Sequence, residues 1–332
     1  VVLIDEYDKP LLRSFHDEKL QNDFREILTA FYTVLKSADQ WIQFVFITGV
    51  TKFAQVGIFS NLNQLMDISF DPRFADLCGL TQEEIEANFS PELDALAVSN
   101  NTTRETAIQE LARMYNGYHF SYRNMIGMFN PFSVLNCLSS GMYEHYWFGS
   151  GTPTFLAEIL KKTDVDLNEL EDIEVPAVSL ANDRANPGNP VPMIYQSGYL
   201  TIKSYDERFR MYTLGYPNEE VKYGFLNFIS PYYTCVSSTS TSFYIGQFVS
   251  EIERGEVDSF LNRLRAFFAD FPYELNDRTE RHYQVVFYLV FKLMGQFTET
   301  EIRSARGRAD AIVKTKDYIY VFEFKLNGSA ME

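Results

Sequence analysis

Gly307-Arg308-Ala309-Asp310-Ala311-Ile312-Val313, a short polar break, and Tyr318-Ile319-Tyr320-Val321-Phe322-Glu323-Phe324-Lys325 form the stretch that decides how the C-terminal end folds. Two β-forming runs joined by a turn read as a hairpin. Acids and a lysine within such apolar runs are costly to bury unless the charges meet a metal or one another. With Lys316-Asp317 as a two-residue connection, antiparallel pairing sets Asp310 opposite Glu323, and opposed residues share a face. Lys325, two residues further on, falls on the same face. An odd connection without a bulge would separate the two acids.

Convergent carboxylates bind Mg²⁺ or Mn²⁺ through oxygen, and a neighbouring lysine can stabilise charge on a phosphoryl group. The competing reading is an ion-pair network on a solvated sheet face. Val321, Phe322 and Phe324 look too apolar for a freely solvated strand, and Gly307-Arg308 adds a cation beside a tight turn. Glu280 is a third acid to weigh, although with Asp277 as N-cap it would sit at N3, where capping alone explains it. Arg303, Arg306, Arg308, Lys314 and Lys316 surround the hairpin, a basic rim that suits a phosphodiester or is simply solvated charge. Upstream, Gly246 to Phe271 and Asp277 to Leu293 read as helices, the second closed by Gly295, and Phe297 to Arg303 reads as a strand. The tail is therefore expected as α, α, β, β, β.

The remainder of the 332 residues carries a different charge. Of a net −16, the part from Phe243 onward, with 12 Lys and Arg against 14 Asp and Glu, accounts for −2 and the part before it for −14. An acidic front argues against non-specific nucleic-acid binding by the whole surface. Hydrophobic content of 46% fits a globular protein with room for two or three cores. Cys78, Cys137 and Cys235 are widely spaced and read as buried free thiols of a reducing, cytoplasmic compartment. No apolar run is long enough to span a membrane. The four histidines, His16, His119, His145 and His282, have no metal-ligand spacing, and no G-x-S-x-G elbow occurs. Any hydrolytic chemistry is thus expected to be metal-assisted.

At the front, Val1-Val2-Leu3-Ile4 has the pattern of a strand buried on both faces of a parallel sheet, and it ends in Asp5-Glu6. An amphipathic helix from about Glu18 to Ala38 follows, presenting Leu20, Phe24, Ile27, Leu28, Phe31 and Leu35. A second strand, Ile42 to Ile47, ends in Thr48-Gly49. This is a βαβ unit, and open α/β sheets bind ligands at the carboxyl ends of such strands. An aliphatic run closed by Asp-Glu has the form of a Walker B segment, or is a solvated strand end. No G-x-x-x-x-G-K-[ST] phosphate loop occurs in the sequence.

Between the two ends, Asp71 to Lys162 reads as mostly helical, with a capping box at Thr81 and Glu84 and helices at Thr103–Tyr115 and Pro131–Ser139. Tyr115-Asn116-Gly117-Tyr118 is a turn. Asp164 to Glu174 holds six acids in eleven residues and reads as a solvated helix or linker. Asn186 to Pro190 is a loop. Tyr195 to Tyr205 and Phe209 to Leu214 are expected to form a hairpin beside a helix from Asn218 to Ile229, a winged-helix-like arrangement without a basic helix. Ser237 to Ser242 reads as a boundary.

Glu280, Gly307-Arg308-Ala309-Asp310 and Glu323-Phe324-Lys325 together resemble the PD-(D/E)XK nuclease superfamily. The front resembles the AAA-ATPase-like family that is often fused to such nucleases in bacterial proteins. The second resemblance rests on Leu3-Ile4-Asp5-Glu6-Tyr7-Asp8-Lys9-Pro10, Phe46-Ile47-Thr48-Gly49-Val50, Ile58-Phe59-Ser60-Asn61-Leu62-Asn63, Tyr115-Asn116-Gly117-Tyr118, Asn130-Pro131 and Tyr195-Gln196-Ser197-Gly198-Tyr199-Leu200. It implies Asp5 as a Mg²⁺ ligand, Glu6 as the water-activating acid and Thr48 as a sensor, with ATP bound in a full-length protein. For the nuclease, the resemblance implies Asp310, Glu323 and Glu280 as metal ligands, Lys325 as the catalytic lysine and nucleic acid as partner.

The fold class expected is α/β: a partial P-loop ATPase sheet, a helical and winged-helix-like middle, and a restriction-endonuclease-like end. The corresponding domains are 1–75, 76–236 and 243–332. The family's phosphate loop should precede Val1 and the last elements of the nuclease core should follow Glu332, so the sequence reads as part of a longer protein that would not hydrolyse ATP alone. The expected function is that of an ATPase-coupled, Mg²⁺-dependent nuclease. Its alternative is a non-catalytic ATP-dependent switch or partner-binding protein with a nuclease-like scaffold.

Overall fold

The computed structural model describes the chain apart from residues 15–16, 51–58, 60–64, 150–169, 182–188, 235, 270–279, 306–307 and 326–332. Two compact units emerge, one spanning Val1–Val165 with Leu170–Glu219, the other consisting mainly of Glu220–Glu332. Both mix helices with small sheets.

The first unit begins with β1 (Val2–Ile4), α1 (Lys9–Arg13), α2 (Glu18–Ser37) and β2 (Val45–Ile47). Asp17 starts α2 by accepting the Leu20 amide at 2.9 Å, as a free N-terminal turn requires. β1 and β2 are parallel, with Leu3 opposite Phe46 and Ile4 opposite Ile47. The expectation that β1 is buried on both faces fails, because Leu3 is 70% exposed and Ile27, Phe31 and Val34 of α2 are exposed as well. The sheet has only these two strands among the described residues. Strand β2 is also shorter than expected, starting at Val45 rather than Ile42.

Five helices follow, α3 (Gln82–Asn88), α4 (Ser90–Ser99), α5 (Arg104–Tyr115), α6 (Pro131–Ser140) and α7 (Tyr146–Gly149). The capping box at Thr81 and Glu84 is present in both directions, a device that contributes about 1 kcal/mol. Apolar residues at helical spacing, among them Ile85, Leu93, Leu111, Met114, Val134 and Cys137, form one buried cluster around Tyr115. Cys78 is exposed, contrary to the buried-thiol expectation, whereas Cys137 is buried; Cys235 lies outside the described residues. Gly117, at φ +105°, lies so close to the Pro217 carbonyl that an added Cβ would sit 2.2 Å from its oxygen. That turn needs glycine twice over.

A three-stranded antiparallel sheet completes the unit, built from β3 (Ile173–Pro176), β4 (Thr201–Asp206) and β5 (Met211–Gly215) in the order β3-β5-β4. Two short helices, α8 (Ala177–Ala181) and α9 (Val191–Gln196), lie between β3 and β4. Here the local reading needs correction. Ile173 and Glu174 belong to a strand rather than to an acidic helix or linker, because Ile173 pairs with Leu214 and Val175 is buried. Tyr195 and Gln196 end a helix rather than start a strand, since Pro192 opens that helix and Gly198, at φ +82°, closes it. The 164–169 and 186–188 portions of the expected linker and loop lie outside the described residues.

Helix α10 (Glu219–Thr234) begins at the boundary between the units. It is followed by α11 (Ser238–Glu253), α12 (Val257–Ala269), α13 (Glu280–Met294) and the strands β6 (Glu299–Ala305), β7 (Arg308–Lys314) and β8 (Ile319–Lys325). The Ser/Thr run is no linker: Ser237 caps α11 by accepting the Ser240 amide, and the run becomes its first turns. Gly255, at φ +77°, splits the single helix expected over 246–271 into α11 and α12. Among the described residues the tail therefore reads three helices and three strands. Phe322 packs between Phe260 of α12 and Phe291 of α13, with ring centroids 5.2 and 5.3 Å away, and the Tyr320 hydroxyl donates to the Ile252 carbonyl of α11 at 2.7 Å. These contacts fix one face of the sheet as the core.

Candidate functional site

The second unit's sheet runs β6-β7-β8, antiparallel throughout. Lys314 faces Ile319 across the turn, and Thr315 donates its amide to the Tyr318 carbonyl at 2.8 Å, leaving Lys316-Asp317 as the connecting pair. That even connection carries the register back without a slip, so Asp310 opposes Glu323 and Arg308 opposes Lys325. On β6, Arg303 opposes Asp310.

Strand alternation then assigns the faces. Ala311 and Val313 are fully buried and Phe322 is 9% exposed, so odd positions of β7 and even positions of β8 belong to the core. Asp310, Glu323 and Lys325 consequently lie on the other face, where Glu323 is exposed and Val321 and Ile319 are 72% and 69% exposed. The expectation that Val321, Phe322 and Phe324 are too apolar for a freely solvated strand therefore needs correction at Val321. Phe322 is buried on the opposite face, and Val321 shares the face of Glu323 but is open.

Glu280 is the first residue of α13, which packs on the core face through Phe291. Met294 leads through a tight turn, with Phe297 and Thr298 amides returning to its carbonyl, into β6. The side chains of Glu280, Asp310 and Lys325 are outside those described. Asp277, the expected cap, is likewise outside the described residues. Two carboxylate-bearing residues in direct register fit a hard divalent cation that takes oxygen ligands. Among the described residues no three His, Cys, Asp or Glu side chains form a metal-sized group.

In the first unit, Asp5, Glu6 and Thr48 meet at the carboxyl ends of β1 and β2. The Thr48 hydroxyl donates to Asp5 and accepts the Glu6 amide at 3.3 Å, while the Thr48 amide and carbonyl bond Ile4 and Tyr7 at 2.8 and 3.0 Å. Glu6 adopts φ +50°, uncommon for a side-chain-bearing residue, and its carboxylate pairs with Lys9. Asp8 was not singled out from the sequence. It is fully buried, and its carboxylate accepts the Val50 amide at 3.0 Å. Tyr7 covers Gly49 so closely that an added Cβ would lie 2.2 Å from the ring. Burial, then the Asp8 carboxylate, pushes the Tyr32 hydroxyl pKa up. The signal for Asp8 was its place three residues after Asp5 in a stretch that leaves a strand.

The arrangement so far describes a mixed α/β protein with one acidic cluster at the ends of parallel strands and a second in register on an antiparallel sheet. Comparison with known families agrees with that division. Residues 1–59 match the family described as Predicted AAA-ATPase, and residues 278–332 match the PD-(D/E)XK nuclease superfamily. The chain is thus similar to an AAA-ATPase-like family at its N-terminal end and to the PD-(D/E)XK nuclease superfamily at its C-terminal end. A curated protein of Azotobacter chroococcum mcd 1, described as "Uncharacterized protein in vnfD 5'region", is 32% identical over 333 residues, covering 98% of this chain. The chain spans 62% of the length of that relative. No solved structure matches at a significant level. Among the described residues no helix is long and apolar enough to cross a membrane.

Proposed function

We propose that the protein is an ATPase-coupled, metal-dependent nucleic-acid phosphodiesterase whose cleavage site lies on the outer face of the β6-β7-β8 sheet. The reading rests on one observation, the register that sets Asp310 opposite Glu323 with Lys325 two residues along the same strand. In it, Asp310, Glu323 and Glu280 would hold Mg²⁺ or Mn²⁺, which when bound would supply Lewis-acid polarisation of the phosphoryl group and a water of lowered pKa. Lys325 contributes a fixed ammonium beside the developing negative charge. The domains follow as a partial P-loop ATPase sheet over 1–75, a helical and winged-helix-like middle over 76–236, and a restriction-endonuclease-like domain over 243–332. In a full-length protein with a phosphate loop, Asp5 would hold the Mg²⁺ of ATP, Glu6 would activate water and Thr48 would orient Asp5. Residues 1 to 332 alone lack the phosphate loop sequence and would not turn over ATP.

A non-catalytic ATP-dependent switch is the second reading, favoured by the net charge of −16. The two separate on cleavage of a labelled oligonucleotide by the longer parent protein. Mg²⁺-dependent cleavage that is lost in Asp310→Ala supports the nuclease; cleavage retained in that variant, or no cleavage by the wild type, supports the switch.

A further inference from the structure

A cleft in the first unit is lined by none of the candidate site residues. Its volume is about 480 Å³, within the range of small-molecule sites, and its walls are Asp67, Phe70, Asp71, Pro72, Arg73 and Arg123. The two segments that form it are fastened to each other. Ser121 and Asn124 close a tight turn, and the Asn124 side-chain amide donates to the Pro72 carbonyl at 3.1 Å. Both segments also pack on the hairpin of β4 and β5. Phe70 stacks on Tyr212 with ring centroids 6.0 Å apart, and Tyr122 lies on Tyr205 at 4.1 Å.

The two guanidinium groups at this cleft differ. Arg73 is committed to Asp71, its Nε donating to Oδ1 at 3.0 Å and its Nη2 to Oδ2 at 2.6 Å. Arg123 instead donates from Nε to the Tyr122 hydroxyl at 2.9 Å, with its guanidinium carbon 5.3 Å from that ring's centre. Its Nη1 and Nη2 have no hydrogen bond or acid partner among the described residues. Because Tyr205 holds the Tyr122 ring, Arg123 is a pre-positioned fork with its outer nitrogens open. A carboxylate or phosphate takes such a fork in pairs of hydrogen bonds. One fork answers one negative charge, and two carboxylates, Asp67 and Asp71, line the same cleft, so a monoanion suits it better than a doubly charged phosphate. Phe70 and Pro72 add flat apolar surface.

We propose that this cleft binds a small aromatic monocarboxylate, its carboxylate on Arg123 and its ring against Phe70. The competing role for Arg123 is packing on Tyr122 alone. Calorimetric titration of the 332-residue chain with benzoate, benzyl alcohol, acetate and inorganic phosphate separates the two. Benzyl alcohol keeps the ring without the charge, and acetate the charge without the ring. Benzoate is expected to bind at least about tenfold more tightly than each of the other three. Arg123→Gln should weaken benzoate binding at least about tenfold with the melting temperature unchanged. The four probes on the wild type decide the ligand class without any substitution. No benzoate binding, or benzyl alcohol, acetate or phosphate binding as tightly as benzoate, would overturn the proposal, as would benzoate binding unchanged in Arg123→Gln.

Discussion

Asp5 directly follows a short β-strand and Asp310 lies within one, and the chain positions them by different means. Asp5 follows a parallel strand, and its neighbour Thr48 follows a strand more than forty residues away. A side-chain hydroxyl, added to the backbone bonds of Thr48 with Ile4 and Tyr7, ties the two together. Asp310 lies inside a hairpin, where a two-residue connection and continuous pairing place it opposite Glu323. A local turn can set a register that counting recovers. A long-range parallel pair must be held by specific contacts, here the Thr48 hydroxyl, the buried Asp8 carboxylate and the Tyr7 ring over Gly49.

If the hairpin carries the cleavage chemistry, its lysine should matter most. Lys325→Ala is expected to reduce metal-dependent cleavage by roughly 100-fold or more while leaving Mn²⁺ affinity within a few-fold. Asp5→Asn should leave cleavage by residues 1–332 unchanged. A parallel loss of metal binding in Lys325→Ala would make the lysine structural.

The two regions also differ in cover. Phe291 is fully buried against Phe322, so Phe291→Ala should cost about 3–5 kcal/mol in denaturant unfolding of the second unit. Leu3, which is exposed, should change stability by no more than about 0.5 kcal/mol when replaced by serine. A large cost for Leu3→Ser would mean that the front sheet is covered in solution.

What could be read from the sequence follows the same division. Helices with strong caps, such as the one opened by Thr81 and Glu84, and the terminal hairpin with its register were legible, because their determinants lie within a few residues. Strand β3 was not legible, since Ile173 and Val175 are surrounded by acids and gain their reason only from pairing with β5. The Ser/Thr run at 237–242 misled for a related cause. Poor helix formers are carried by the burial of Ile245, Phe248 and Ile252 further along α11. At the candidate sites, the acids were visible but their surroundings were not. Val321 looked too apolar for a solvated strand and is open, and Asp8, not singled out, is buried.

Smaller effects sharpen the contrast further. Thr48→Val removes the hydroxyl that joins the front strands at a part-exposed position, and should cost about 1 kcal/mol of stability. No change would mean that backbone pairing of β1 and β2 holds Asp5 by itself. Smallest is a strictly local pair. Arg73, through its hydrogen bonds, lowers the Asp71 carboxyl pKa to about 2. Because the folded value lies below the unfolded one, its contribution is held above pH ~4 and lost as pH falls through the folded value. An NMR titration should find this depression in the wild type and its disappearance in Arg73→Ala; a midpoint unmoved by that substitution would assign it to another cause.

The central claim is that Asp310 and Glu323 together hold a divalent cation, and calorimetric titration of Mn²⁺ into the 332-residue chain and its Glu323→Gln variant tests it most directly. The account predicts saturable binding by the wild type, weakened at least roughly 100-fold in the variant. Equal binding by both, or none by the wild type, would contradict it.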